Sequence, residues 1–207
     1  MKKVLALVLA LAMICSFAAC GDAKQEEAPA KNELAEYLEN GFVINGSSAD
    51  TENGYVALLV KDTGDYNFDY SQLYKVQIPL TEKEYNELDM IEWDDEEKKN
   101  EYLFALDDVV ISDISDRVPS QEEINSLVGK TFGDLEDMGF YNSGWVEEEE
   151  GQGYYFYYDG PTFYGKFTVP EDQKVTNMDD MSPNDIRELV IDSVEFLGVS
   201  FDIVYAE

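Results

Sequence analysis

Beyond position 31, apolar residues recur at two spacings. Leu34, Tyr37 and Leu38 fall at helical intervals, and Gly41 is placed to end that helix. Short strand-like runs follow at 42–44 and 55–60, separated by the turn-rich NGSSADTENG, and at 73–78, closed by Pro79. Thr81 with Glu84 forms a capping box, which predicts a helix to about Leu88. The acidic run 94–97 reads as a loop or exposed turn, and 102–106 and 109–114 read as strand.

Pro119 and Ser120 mark a boundary. Ser120 with Glu123 is a second capping box, leading into Ile124, Leu127 and Val128 before Gly129. Thr131 caps another short helix, with Phe132, Leu135 and Met138 on one face and Gly139 past its end. Strands are predicted at 140–146, 154–158 and 162–169, the last two joined as a hairpin by Asp159-Gly160. Ser182-Pro183 opens a helix in the preferred order, cap first and proline next. Strand-like sequence at 194–204 finishes the chain.

The two halves are alike. Asn40-Gly41-Phe42 precedes Gly46 as Met138-Gly139-Phe140 precedes Gly144, and Lys75-Val76-Gln77-Ile78-Pro79 matches Lys166-Phe167-Thr168-Val169-Pro170. Each half reads helix, three strands, helix, strand. The expected fold is therefore α+β: two small domains, 32–116 and 120–207, that are candidates for a duplication, each an antiparallel sheet with short helices on one face.

Residues 1–31 have a different composition. Lys2 and Lys3 precede an apolar stretch at 4–17, too short for a membrane span of about 20 residues and built like the core of an export signal. Phe17-Ala18-Ala19-Cys20-Gly21 resembles the lipobox of bacterial lipoproteins, with Phe17 in place of the usual leucine. That resemblance implies cleavage of 1–19 as a signal peptide and a thioether diacylglycerol on Cys20, with an N-acyl chain often added. It also implies anchoring at the outer face of the bacterial cytoplasmic membrane. Residues 20–31 then form the lipidated cysteine and a tether, since 21–31 lacks large apolar groups. Cys15 leaves with the signal and the lipid occupies Cys20, so no disulfide is expected. The segment GKTFGDLEDMGF at 129–140, followed by a tyrosine-rich sheet, also resembles a GKT-x-x-DL-x-x-x-G-[FY] stretch of small acidic lipoproteins of Firmicutes, whose role is mostly undetermined.

Charge narrows the partners. The chain carries 45 acidic and 14 basic residues, a formal net charge of −31, and loses two lysines with the signal. Such a surface repels phosphate backbones and anionic headgroups, so no nucleic acid is expected and the membrane is met through lipid alone. Fourteen tyrosines and eleven phenylalanines supply a core despite the charge, each ring burying about 150–250 Å².

Candidate chemistry is sparse. There is no histidine, which removes His-based acid–base and nucleophilic machinery and ordinary zinc sites, and no phosphate-cradling glycine loop. Asp65, Asn67 and Asp69 have the alternate spacing that opens a calcium loop, but Tyr70 and Val76 stand where that loop needs Gly and Glu. A calcium-stabilised surface module and a histidine-free hydrolase using two carboxylates are the rival readings, although turns and strand ends account for Asp107-Asp108 and 147–150. The run Tyr154-Tyr155-Phe156-Tyr157-Tyr158 remains. Alternation puts Tyr155 and Tyr157 on the face opposite Phe156. With Trp145 and Tyr164 they form a candidate binding surface for a protein or carbohydrate partner, against the alternative of an aromatic ladder covered by helices. The expectation is a non-catalytic binding module without cofactor beyond its lipid.

Overall fold

The computed structural model describes residues 31–65, 67–92, 94–149, 151–175 and 177–206. The signal, Cys20 and all of the tether but Lys31 lie outside these.

Residues 31–207 form one compact unit containing two four-stranded antiparallel sheets, each in simple chain order. The first holds β1 (Phe42–Asp50), β2 (Gly54–Gly64), β3 (Asn67–Ile78) and β4 (Val110–Asp113). The second holds β5 (Tyr141–Glu147), β6 (Tyr154–Asp159), β7 (Phe163–Thr168) and β8 (Ser193–Val199). Helices α1 (Glu33–Glu39), α2 (Glu82–Asp89) and α3 (Glu96–Phe104) accompany the first sheet. Helices α4 (Gln121–Asn125), α5 (Phe132–Asp137) and α6 (Pro183–Glu188) accompany the second. The expected α+β class with paired antiparallel sheets is what the chain adopts.

Local chemistry explains where the helices begin. Thr81, Ser120, Thr131 and Ser182 each accept from the backbone N–H three residues on, while Glu84, Glu123, Asp134 and Asp185 reach back to the cap N–H. These bonds favour the ionised carboxyl and hold all four below their ordinary values, through side-chain bonds to the cap first for Glu84 and Glu123 and backbone bonds first for Asp134 and Asp185. A carboxylate with a lowered folded-state pKa contributes stability above the ordinary carboxylate range, and that contribution is lost as pH falls through the lowered value. Asp134→Asn/Asp185→Asn should therefore lower the melting midpoint at neutral pH, yet lose less than the parent between about pH 5 and 3. A set of thermal melts across that range checks it.

Three buried clusters hold the fold. Phe132, Leu135, Phe156, Tyr158 and Phe167 centre the core between the second sheet and its helices. Leu34, Tyr55, Ala57, Leu59, Val76 and Leu103 fill the helix side of the first. The third lies on the other face of the first sheet, where Val56, Leu58, Val60 and Leu73 meet Val199, Ile203 and Val204 from the chain's end. β2 is thus buried on both sides from Gly54 to Val60, which is why Tyr-Val-Ala-Leu-Leu-Val is a continuous apolar run rather than an alternating one.

Four expectations are corrected. The acidic run 94–97 is not a loop throughout: Asp95 caps α3 by accepting from the Lys98 N–H, and Glu96 and Glu97 occupy its first turn, where carboxylates suit the helix dipole. Residues 102–104 consequently end that helix, with Leu103 as its buried residue, and do not form a strand. The segment 45–54 is largely strand, because β1 continues to Asp50 across a bulge between Ile44 and Ser47. Strand 194–204 stops at Val199, where Ser200 caps a 3-10 turn, Phe201–Tyr205. A smaller correction concerns Met138, which is exposed while Phe132 and Leu135 are buried.

Candidate functional site

The outer face of the second sheet is the surface that its register builds. In an antiparallel ladder directly opposed residues share a face. Tyr155 opposes Val146, Tyr157 opposes Gly144 and Lys166, and Asp159 opposes Tyr141 and Tyr164. These residues therefore lie together, opposite Phe156, Tyr158 and Phe167, which face the core. None of Tyr141, Val146, Tyr155, Tyr157, Tyr164 or Lys166 belongs to any of the three buried clusters. Tyr141 is 58% exposed, Val146 48% and Tyr164 38%, with Tyr155 and Tyr157 half-buried between them.

Specific contacts fix these side chains. The Lys166 ammonium lies 3.8 Å from the Tyr155 ring centroid and 3.6 Å from a Glu195 carboxylate oxygen. It thus joins a cation–π contact to an ion pair across β7 and β8. The Asp159 carboxylate, by hydrogen bonding and by charge, pushes the Tyr141 hydroxyl pKa up. Tyr164 lies across Gly198, its cross-strand partner: a methyl there would fall 2.5 Å from the Tyr164 hydroxyl. The absence of a side chain on the edge strand is what lets this ring lie flat. Where the two sheets approach, Tyr70 meets Phe196 edge-on at 5.7 Å, and Tyr70 and Tyr164 line a cavity of about 270 Å³.

The structure brings Tyr155, Tyr157 and Tyr164 together and separates Trp145 from them. Trp145 is 52% exposed but opposes Phe156, on the other side of the sheet. The cause is a bulge in β5 between Asn142 and Gly144. One extra residue reverses which side chains share a face beyond it. Simple alternation cannot anticipate this, although Gly144 marked the spot. Tyr141, before the bulge, was missed and belongs to the face.

The calcium candidates lie around the β2–β3 hairpin. Asp69 accepts from the Ser71 N–H at 2.9 Å, and the Asn67 amide donates to the Asp65 carbonyl at 3.3 Å. Asp65 adopts a positive φ of 53°. Asp62 accepts from the Gly64 N–H at 2.8 Å. Among the described residues no three acidic or cysteine side chains are grouped to hold a metal. Comparison of the chain with protein-family models, with curated proteins and with solved structures finds no match in any of the three.

Proposed function

We propose that the chain is a lipid-anchored extracytoplasmic protein that works by binding rather than by catalysis, and that the tyrosine face of its second sheet is the recognition surface. The observation that carries this reading is the placement of Tyr141, Tyr155, Tyr157 and Tyr164 on a face outside every buried cluster. Tyrosine offers a large apolar ring, a polar tip and few rotatable bonds, which suits recognition of a protein or a carbohydrate. The ring held by Lys166 is ordered in advance, which lowers the entropic cost of binding. The lipobox resemblance at 17–21 supports the address, and the acidic surface supports partners other than nucleic acid.

Site-specific photo-crosslinking in cells tests the face. A photoreactive residue at Tyr141 or Tyr164 should give a discrete adduct that the same residue at Met90, 83% exposed on the other half, does not. Tyr155→Ala with Tyr157→Ala should reduce that adduct roughly tenfold without loss of fold, the scale expected of central interface aromatics. Identical adducts from Met90, or turnover of glycosides, esters or peptides by the purified protein, would remove the reading.

A further inference from the structure

A cavity of about 480 Å³ lies between β1 and α3 on the first sheet, lined by Leu38, Phe42, Ile44, Ser47, Tyr55 and Lys99 among others. A second space of about 270 Å³ adjoins it, and Ser47, Tyr55 and Lys99 line both. The cause is in the register. Ser47 opposes Ala57 and Ala49 opposes Tyr55, so small side chains face the helices where bulky ones fill the rest of that side. The sheet and α3 are held apart, and the gap stays open.

Two polar groups at the junction have no partner. Tyr55 is 1% exposed, and its hydroxyl is buried without a hydrogen bond. Burial pushes its pKa up, opposed in part by the nearby Ser47 side chain, which does not complete a bond of good geometry. Buried hydroxyls are almost always satisfied, and an orphan one costs stability in the free protein. Lys99 is half-buried and, among the described residues, has no carboxylate within ion-pair distance, in a chain with 45 acids. The Lys99 ammonium and the Tyr55 hydroxyl thus offer unused donors at this junction, while Leu38, Phe42 and Ile44 present an apolar wall and Glu96 and Asp89 supply the negative charge around it.

We propose that this cleft binds a small monocarboxylate with an apolar body the size of one ring or a short alkyl chain, its carboxylate held by Lys99 and Tyr55. The volume suits such a ligand. Glu96 on the rim selects against a second negative group, so dicarboxylates and phosphates are disfavoured. The Tyr55 hydroxyl is itself closed to water, so a side chain lining the cleft has to move for the ligand to reach it. This site is separate from the tyrosine face and does not depend on it.

The test is a titration of the full ¹⁵N-labelled chain in mild detergent with phenylacetate, and with phenylacetamide as its neutral counterpart, followed by amide NMR. Saturable shifts should centre on Ser47, Tyr55, Lys99 and Asn100, with the amide binding at least roughly tenfold more weakly, as expected when a charge-assisted bond is removed. Lys99→Met should weaken phenylacetate by about tenfold. Tyr55→Phe should weaken it several-fold and at the same time raise the melting midpoint of the free protein, a pairing that a purely structural tyrosine would not show. The proposal is overturned by no saturable shift to about 10 mM, equal binding of the amide, or Tyr55→Phe binding as tightly as the parent.

Discussion

Phe132→Ala should cost about 3–5 kcal/mol of folding stability, the largest loss expected from one side-chain truncation in this chain. Phe132 is fully buried, and its ring stacks on Tyr158 at 4.9 Å with an interplanar angle of 3°. It also leans on Phe156 at 4.8 Å and meets Phe167 edge-on at 6.4 Å. Those three rings stand on adjacent paired strands, so they cannot move into the space left behind, and a site that cannot collapse suffers most from truncation. The position matters for the helix as well. Phe132 opens α5 just after the Thr131 cap, and its N–H donates to the Leu189 carbonyl while Thr131 bridges to Val190. Losing the ring therefore loosens the join between α5 and the segment before β8. Urea melts should show a lower midpoint with little change in slope, and heat melts a drop of roughly 2–4 °C per kcal/mol for a chain of this size. Phe132→Leu should recover more than half of the loss. An unchanged midpoint for the alanine variant would mean that the aromatic stack is not what holds the second sheet to its helices.

The same stack shows why some of the architecture was legible beforehand. Phe132 after Thr131 and before Gly139 is a local signal: cap, apolar residue and stop lie within one helix, and no distant partner is needed to read them. Alternation in 154–158 is equally local, and it puts Tyr155 and Tyr157 on the face opposite Phe156, as found, while leaving open whether helices cover that second face. The errors arose where a remote contact decided. Tyr102-Leu103-Phe104 resembles a strand, but Asp95 and the helix-favouring Glu, Lys and Leu that follow commit the segment to α3, and the first sheet needs only Leu103 from it. Ile203 and Val204 are apolar because they cover β2, in a geometry that a 3-10 turn serves and a continued strand would not. The cleft at Tyr55 was hidden because Ser47 and Ala49 sat in a stretch read as turn. Their small size acquires meaning only once they are known to face a helix across a bulged strand. Gly46 and Gly144, noted as equivalent in the two halves, turn out to sit at the bulges of β1 and β5. Each bulge re-aims one edge strand, and each borders one of the two surfaces to which a binding role is assigned.

Cys20→Ser should move the protein from the membrane fraction to the soluble one almost completely, a larger change in distribution than any other single substitution would bring. Two or three acyl chains contribute about 0.8 kcal/mol per buried methylene, whereas a single chain gives only reversible binding. Among the described residues no helix is long and apolar enough to cross a bilayer, and a net charge of −31 repels anionic headgroups. Electrostatics therefore works against residual attachment, and higher salt should leave the distribution of the serine variant unchanged. Cys15→Ser, two residues before the lipobox opens at Phe17, should leave the protein on the membrane as before, which separates lipidation of Cys20 from a general loss of thiols. Under the proposed anchoring, the segment 21–31, which reaches at most about 40 Å when extended, would keep the body and its tyrosine face close to the bilayer. Mass spectrometry of the N-terminal peptide provides the second reading: a free thiol at Cys20 on membrane-bound protein would break the proposed link between lipid and location.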